Sequence, residues 1–247
     1  MATLYEGEMA GIYEAMYQSF VNYDEEYTFY KSILDNYNCN SVVEIGAGTG
    51  NLAYRFSEDN FDYTGIDYSE DMLSIARKKY PELNLLHGDM RNFKLQKRTD
   101  AAIITGRTTS YIITNKDFHD ALASISNNLN DKGFLAFDFI DASRYLPFIL
   151  ENKDIEHKAV VNGKIYSRIG NWFPTELDNF LVKWEADYFV ESGNDKKFIQ
   201  KDTSIVRIFT KEEIELHLKI KGFEIIELID RKTYAYDTYV VIARKVN

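Results

Sequence analysis

The sequence is poor in cysteine, proline and long apolar runs, and each shortage excludes a class of protein. Among 247 residues there is a single cysteine, Cys39, so no internal disulfide can form, which fits a reducing cytoplasm. The three prolines form no proline-rich linker. No apolar run approaches the roughly 18 residues of a membrane-spanning helix, so no membrane association is expected. Residues 1–17 include acids and lack a basic segment before an apolar core, so we expect no signal peptide.

Basic residues are outnumbered by acidic ones. The 29 Lys and Arg residues oppose 39 Asp and Glu residues, which gives a formal net charge of −10. Because contact with a phosphate backbone needs a basic surface, no nucleic-acid partner is expected, although a local basic pocket is compatible with this charge. Cys39 precedes an apolar run and is interpreted as a packing residue rather than a nucleophile.

No metal site is predicted. The pair Asp138 and Asp141 follows an apolar run, but the sequence offers no matching third ligand, so both are interpreted as ordinary carboxylates at a strand end. The histidines share no metal-ligand spacing, and His217 is placed on a helical surface; the four are His87, His119, His157 and His217.

The periodicity of the chain predicts its fold class. Apolar residues recur at helical spacing twice before residue 38, and Asp24 is placed as the N-cap of the second helix. From Ser41 onward, short apolar runs alternate with helical segments, one of which Ser69 is expected to cap. This alternation predicts a Rossmann-like, doubly wound α/β fold with a mainly parallel sheet. Five strands are predicted in this region, at SVVEI, YTGID, LNLLHGD, DAAIITG and GFLAFDFID.

The pattern changes after the fifth strand. Asn162-Gly163 is a hairpin signal, and apolar and polar residues alternate along 180–191, so about four antiparallel strands are expected near residues 157–209. Thr210 and Glu213 predict a capping box at the start of a later helix that ends at Gly222. Two final strands bring the main sheet to seven. The predicted division is a helical cap at 1–38, a core at 39–142 and 210–247, and an inserted antiparallel β lid at 143–209, whose outer strands are candidates for a homodimer contact.

Three alternate glycines in SVVEIGAGTGNL, at positions 46, 48 and 50, raise the question of what lies against them. Since a glycine costs about 1 kcal/mol relative to alanine inside a helix, such a cluster indicates tight backbone or a close ligand. A P-loop is excluded because Gly50 is followed by Asn51 rather than lysine, and the spacing is not that of a dinucleotide loop. Glu44, just before the loop, disfavours a pyrophosphate and favours an ammonium or sulfonium ligand.

The same segment carries a family resemblance. VVEIGAGTGNL resembles the first motif of the class I S-adenosylmethionine-dependent methyltransferases, and YTGIDYSEDML, LLHGDMRNF and DAAIITGRTTSYI are similar to the second, third and fourth motifs in order. The later stretch RIFTKEEIELHLKIKGFEIIEL also resembles the late helix and strand of these enzymes. The resemblance covers roughly residues 40–142 and 205–245. It implies an enzyme whose cofactor is S-adenosylmethionine.

The resemblance also implies which residues hold the cofactor, at the carboxyl ends of the strands. Gly46 and Gly48 would let the backbone approach the methionine part, and Asp67 would hold the ribose hydroxyls through its two oxygens. Asp89 and the Met90 amide would hold the adenine. The predicted cofactor-binding residues are Tyr17, Glu44, Gly46, Ala47, Gly48, Asn51, Asp67, Tyr68, Met72, Asp89, Met90, Arg91 and Thr105, with Tyr68 and Met72 on the adenine faces.

Several of these residues have a structural alternative that the sequence leaves open. Glu44 acts near the cofactor ammonium or is satisfied by the amides of the glycine loop. Asp67 and Asp89 are alternatively turn acids. Arg107 is expected beside the transferred methyl group, where it pairs with a substrate carboxylate or phosphate, or instead with Asp89 or Glu44. The candidate catalytic residues are Tyr17, Arg107 and Tyr111, with packing as the alternative for both tyrosines.

The predicted reaction is in-line methyl transfer to a small-molecule acceptor, with an amine nitrogen favoured. The main contribution of the enzyme would then be alignment in a dry site. A hydroxyl acceptor would need a base, for which Tyr17, Tyr111 or an acid from the insertion could serve. Two other functions stay open: a non-catalytic protein that binds S-adenosylmethionine, and a nicotinamide oxidoreductase, against which the loop spacing and Glu44 speak.

Overall fold

The computed structural model describes residues 7–59, 61–175, 180–192, 195–232 and 237–246. Most of the described chain lies in regular elements. The helices are α1 (Gly7–Phe20), α2 (Tyr23–Asn36), α3 (Asn51–Glu58), α4 (Glu70–Lys79), α5 (Asn115–Asn128), α6 (Ala142–Glu151) and α7 (Lys211–Ile220), with a 3-10 helix η1 (Thr108–Tyr111). The strands are β1 (Ser41–Ile45), β2 (Asp62–Asp67), β3 (Leu85–His87), β4 (Thr99–Ile104), β5 (Leu129–Phe139), β6 (Ile155–Val161), β7 (Lys164–Pro174), β8 (Leu181–Ser192), β9 (Asp195–Arg207), β10 (Phe223–Arg231) and β11 (Thr238–Lys245).

The main sheet has seven strands in the order β10-β11-β5-β4-β1-β2-β3. Strands β1 to β5 run parallel, whereas β11 is antiparallel to both of its neighbours. The strand order reverses between β1 and β4, which both continue into loops at the carboxyl edge of the sheet. In open α/β sheets a ligand lies at such a switch point. The predicted fold class is confirmed.

Two apolar clusters cover the two faces of this sheet. On one face, α5 and α7 pack Phe118, Leu122 and Leu218 against β4 and β5. On the other face, α2, α3 and α4 pack side chains such as Leu34 and Phe56 against β1 and β2. The strands are therefore buried from both sides, which explains why their sequences read as continuous apolar runs rather than as alternating ones. This packing fixes the strand ends that carry the site.

A second sheet, called here the inserted sheet, contains β6–β7–β8–β9 in antiparallel order. Asn162 and Gly163 both have positive φ at its first turn, as the predicted hairpin requires. One of its faces packs against α1 through Met16, Trp184 and Tyr188. The inserted sheet therefore comes after β5 in the sequence and packs against the N-terminal helix α1.

Helix α6 was not predicted, because its residues were assigned to the β insertion. Asp141 caps this helix by accepting from the Arg144 amide at 3.2 Å. Tyr145 and Ile149 then pack beneath the inserted sheet against Val182. Pro147 lies inside α6, which hides the helical pattern from a reading of local propensity. Tertiary packing, more than local propensity, therefore stabilises α6 as a helix.

The predicted N-cap at Asp24 is wrong. Helix α2 begins at Tyr23, and the Asn22 side chain accepts from the amides of Asp24 and Glu25 at 3.1 and 3.3 Å. Asp24 instead lies in the first turn, where its carboxylate pairs with Arg55 at 2.7 Å. Acids in the first turn suit the helix dipole, so the shift by two residues keeps the favourable charge.

The start of α7 confirms half of the predicted capping box. Thr210 accepts from the Glu213 amide at 3.1 Å, but the Glu213 carboxylate contacts Arg207 instead of turning back to the cap. The placement of His217 on a helical surface is wrong. His217 is buried, and its Nδ1 lies 2.9 Å from His119 Nε2, because α5 packs against this face of α7. Within the described ranges, no helix is long and apolar enough to cross a membrane.

Candidate functional site

A cavity of about 520 Å³ opens at the strand switch point. Its walls come from α1, the loops after β1, β2, β3 and β4, and the start of α4. All thirteen residues predicted to hold the cofactor line it, and so does Tyr111. The predicted set spans residues 17 to 105 in sequence and converges here because parallel strands end at one edge.

Arg107 is the predicted site residue that does not line the cavity. Its backbone amide donates to both carboxylate oxygens of Asp138, at 2.9 and 3.1 Å, and its φ of 64° is left-handed. Burial raises the pKa of Asp138 to about 6, an effect that Arg107 opposes. The predicted acidic partners of Arg107 have partners of their own: Asp89 accepts from Arg91, and Glu44 accepts from Tyr63 and Thr105.

The glycine loop connects β1 to α3 with three left-handed residues. Gly46, Gly48 and Gly50 have φ values of 83°, 53° and 77°. A Cβ on Gly46 would lie 2.6 Å from Thr108 Oγ1, so a larger residue there would collide with η1 as well as adopt a strained backbone. The loop is glycine-rich because of both its conformation and its close approach to a neighbouring element.

Asp67 joins the end of β2 to this loop. One of its carboxylate oxygens accepts from the Gly48 amide at 2.7 Å, and the other accepts from the Ser69 amide at 2.8 Å. Burial raises the pKa of Asp67 although both amide contacts act in the opposite direction. Each carboxylate oxygen has a second lone pair, so Asp67 can order the loop and still accept from a ligand in the cavity.

Glu44 lies on the cavity wall at the end of β1 and is 2% exposed. Tyr63 donates its phenol to one carboxylate oxygen, and Thr105 donates its hydroxyl to the other at 3.2 Å. The alternative in which loop amides satisfy Glu44 is therefore not what the structure has. Burial raises the pKa of Glu44 from an ordinary 4.5 to about 7, and the two hydrogen bonds only partly offset this.

The raised pKa of Glu44 makes the stability of the free protein depend on pH. Because the folded state holds this proton more tightly than the unfolded state, its contribution to stability is complete below about pH 4.5 and is lost as the pH rises through about 7. We expect the difference in unfolding free energy between wild type and Glu44→Gln to change by on the order of 3 kcal/mol across that range. Urea unfolding at a series of pH values measures it. Asp138 is present in both proteins, so its own titration cancels; a pH-independent difference would contradict the burial of a titrating Glu44.

Asp89, which lines the cavity just after β3, already has hydrogen-bond partners within the protein. The Asp89 carboxylate accepts from Arg91 Nε at 2.9 and 3.0 Å and from the Arg91 amide at 2.9 Å. These contacts, with the guanidinium hydrogen bond the strongest, lower the pKa of Asp89 and keep it ionised. Met72 is buried beside Gly48, whereas Tyr68 is 73% exposed on the rim.

Residues from α1 and α2 complete the cavity; the sequence predicted Tyr17 among them but did not indicate Glu14 or Glu26. Glu14 accepts from Asn51 Nδ2 at 3.1 Å, from Thr49 and from Lys79 at 3.2 Å, so it ties α1 to the glycine loop and to α4. Tyr13 and Tyr17 stack with ring centroids 4.0 Å apart on the cavity wall. Glu14 stands 35 residues before Thr49 in the chain, and only the fold reveals their contact.

The cavity wall is strongly acidic. One basic side chain, Arg91, lines it together with six carboxylates, from Glu14, Glu26, Glu44, Asp67, Asp89 and Asp117. Such a field attracts cations and repels free phosphates. In the part of the chain that the structure describes, no three His, Cys, Asp or Glu side chains are placed to hold a metal ion. The cavity therefore suits an organic cation better than a nucleotide triphosphate.

Comparisons with known proteins agree with this geometry. A family model described as a methyltransferase domain matches residues 42–133. An uncharacterized methyltransferase of Bacillus cytotoxicus is 30% identical over 156 residues, which are 59% of this chain and 73% of the relative. The dTDP-3-amino-3,4,6-trideoxy-alpha-D-glucopyranose N,N-dimethyltransferase of Streptomyces venezuelae is 32% identical over 98 residues, or 40% of this chain. The chain spans only 41% of that relative's length.

The whole fold also has a solved counterpart. The crystal structure of DesVI from Streptomyces venezuelae superposes with a TM-score of 0.79 at 20% identity, over 96% of this chain and 99% of that one. The match therefore includes the inserted sheet and the N-terminal helices as well as the main sheet. At 20% identity, this superposition shows a shared fold only.

Proposed function

Because the chain belongs to the class I S-adenosylmethionine-dependent methyltransferases, we propose that it methylates an amine nitrogen of a small molecule. Its cofactor is S-adenosylmethionine, which supplies an electrophilic methyl group on a sulfonium. The observation that carries the proposal is the convergence of the glycine loop, Asp67 and Asp89 on one acidic cavity. Two named Streptomyces relatives act on amino sugars as N,N-dimethyltransferases, which supports an amine acceptor.

The residues present fit this cofactor. Gly46 and Gly48 carry no Cβ, so the methionine part can approach their backbone closely. Asp67, anchored by two amides, would accept from the ribose hydroxyls with its remaining lone pairs. Met72 and Tyr68 would lie on either face of the adenine, with Asp89 and the Met90 amide at its edge. The acidic wall offsets the positive charge of the sulfonium and the ammonium.

The acceptor would enter between α1 and η1. Tyr17 from α1 and Tyr111 from η1 both line the cavity and are proposed to orient the amine. Stacked aromatic rings at this position exclude water, so alignment of the amine would supply most of the rate enhancement. The proposal gives Arg107 no contact with the acceptor, since this residue lies behind the cavity wall.

Three further features belong to the proposal. We divide the chain into a helical cap at 1–38, a core at 39–142 and 210–247, and an acceptor-binding insertion at 143–209. A homodimer through the outer strands of the inserted sheet, and a cytoplasmic location, are proposed on the grounds of the sequence. Sedimentation and cell fractionation test these two points.

The proposal is tested with an acceptor panel. Purified protein and S-adenosylmethionine are incubated with primary amines, amino sugars and their hydroxyl analogues, and S-adenosylhomocysteine and the product mass are measured. We expect a methyl gain on amines and none on the matched hydroxyl compounds. Transfer only to tRNA or protein would sink the small-molecule proposal. Tight S-adenosylhomocysteine binding without transfer to any acceptor would favour the non-catalytic alternative.

A further inference from the structure

One carboxylate of the cavity wall comes from the first turn of α2. Glu26 lines the cavity, and its side chain is 14% exposed. Its two oxygens accept from Arg231 Nη1 and Nη2 at 3.0 and 2.8 Å, and the same guanidinium lies 3.9 Å from the ring centroid of Phe29. Arg231 does not line the cavity, so the member of this ion pair that the cavity meets is the carboxylate, whose oxygens each keep a second lone pair.

The other five carboxylates of the wall already have a place. Two are proposed for the ribose and the adenine, one is bound by Arg91, one ties α1 to the glycine loop, and one accepts from Tyr63 and Thr105; in that order they are Asp67, Asp89, Asp117, Glu14 and Glu44. Among the described residues, Glu26 is therefore the cavity carboxylate that contributes neither to the proposed cofactor contacts nor to the side chains that hold them.

Glu26 lies in the half of the cavity that the cofactor contacts leave open. The acids proposed for the ribose and the adenine follow β2 and β3, which leaves the ends of β4 and β5 for the acceptor. Burial is the main cause of the raised pKa of Asp138, near the end of β5, and the charge of Glu26 adds to it, so the two carboxylates lie close together. Asp138 in turn accepts from the Arg107 amide, just after β4. Glu26 therefore belongs to the acceptor half of the cavity.

This half of the cavity has room for an acceptor. Gly106, which follows Thr105 at the end of β4, lines the cavity and is exposed. Apart from its two chain neighbours, no atom of the described residues lies within 4 Å of a Cβ built on Gly106. A small amine therefore has space beside the end of β4, in the half of the cavity that contains Glu26.

Methylation moves a positive charge onto the acceptor. The nitrogen uses its lone pair to bond the methyl carbon, the carbon–sulfur bond breaks with its electron pair left on sulfur, and the positive charge passes from sulfur to nitrogen; a proton then leaves the nitrogen to water. In a cavity that limits water, a developing charge is stabilised best by a fixed opposite charge. We propose that the Glu26 carboxylate faces the acceptor nitrogen and stabilises the positive charge that the nitrogen gains, with Arg231 holding the carboxylate in place. This inference rests on the proposed function, since it requires an amine acceptor.

Removal of the Glu26 charge tests the inference. Glu26→Gln keeps the size and shape of the side chain. With the amine of highest turnover in the panel of primary amines and amino sugars, we expect kcat at least about tenfold below wild type, because a charge-stabilising group acts in the transition state. Affinity for S-adenosylhomocysteine, measured by calorimetry, is expected to stay within about twofold of wild type. Glu25→Gln, which removes the neighbouring exposed carboxylate of α2, is the matched control and is expected to leave both values unchanged.

A purely structural role of the ion pair, which joins α2 to β10, gives a different result. If the pair only fastened these elements, the isosteric Glu26→Gln would retain more activity than the shorter Glu26→Asp. The inference predicts the reverse order of kcat, because Glu26→Asp keeps the charge; unfolding in urea shows whether each variant is folded. If Glu26→Gln does not fold, the double variant Glu26→Met with Arg231→Met decides. Replacing both partners of a buried ion pair by apolar residues is often neutral for stability, and this variant is expected to show the same loss of kcat.

The possible failures are distinguishable. The inference is overturned if the folded Glu26→Gln or the double variant has the kcat of wild type, if Glu26→Asp is less active than Glu26→Gln, or if kcat and the affinity for S-adenosylhomocysteine fall together. In each of these cases wild type still methylates an amine, and the proposed function stands. If wild type methylates no amine, the proposed function fails, and the charge-stabilising role of Glu26 fails with it.

Discussion

Asp67→Ala is expected to weaken S-adenosylhomocysteine binding at least about 100-fold, which corresponds to about 3 kcal/mol. Two effects combine in this loss. The variant removes the acceptor proposed for the ribose hydroxyls, and it leaves the Gly48 amide, which donates to Asp67 at 2.7 Å, without its partner. Hydrogen bonds to a charged group are stronger than those between neutral groups, so losing two of them is sufficient for an effect of this size. Isothermal titration calorimetry measures it.

The matched control for Asp67 lies on the same strand. Asp62 begins β2, is exposed and does not line the cavity, so Asp62→Ala is expected to bind S-adenosylhomocysteine as wild type does. Asp67→Asn keeps one oxygen acceptor and is expected to fall between wild type and alanine. If Asp67→Ala bound S-adenosylhomocysteine with the affinity of wild type, the assignment of Asp67 to the cofactor site would be wrong.

Gly170→Ala is expected to disrupt the inserted sheet and leave the main sheet intact. A Cβ on Gly170 would lie 2.2 Å from two ring atoms of Trp184, and Trp184 cannot move without displacing α1, which packs against it. Overpacking of this kind costs roughly 1–3 kcal/mol. We expect that loss of unfolding free energy, a changed tryptophan fluorescence and at least about tenfold lower turnover with an amine acceptor.

Gly11→Ala is the control for Gly170→Ala. Gly11 lies inside α1 with no atom within 4 Å of the added Cβ, so alanine is expected to be neutral or to stabilise α1 by up to about 1 kcal/mol. Wild-type turnover in a stably folded Gly170→Ala would show that the inserted sheet takes no part in acceptor binding.

Local sequence patterns predicted the part of the site that local structure builds. The glycine loop, Asp67 and Ser69 each stand at a strand end or helix start, and parallel strands bring such ends to one edge. The alternation of strands and helices predicted a mainly parallel sheet, whereas the order of its strands came from the structure. The hairpin turn at Asn162-Gly163 is also local, so these two residues were enough to predict it.

Long-range contacts account for what the sequence did not reveal. Glu14 reaches Asn51, 37 residues later, and nothing in the helical pattern of α1 distinguishes it from a surface acid. His217 is buried because α5 happens to pack there, not because of its own helix. Arg107 was expected beside the methyl group, but it does not line the cavity, and its backbone amide, in a left-handed residue, donates to Asp138.

The most direct measurement is a calorimetric titration of wild type with S-adenosylhomocysteine and, separately, with NADH. The account predicts saturable binding of one S-adenosylhomocysteine per chain and no binding of NADH, because the glycine loop lacks dinucleotide spacing and Glu44 and Asp67 line the wall. No saturable binding of S-adenosylhomocysteine, or equal binding of NADH, would contradict it.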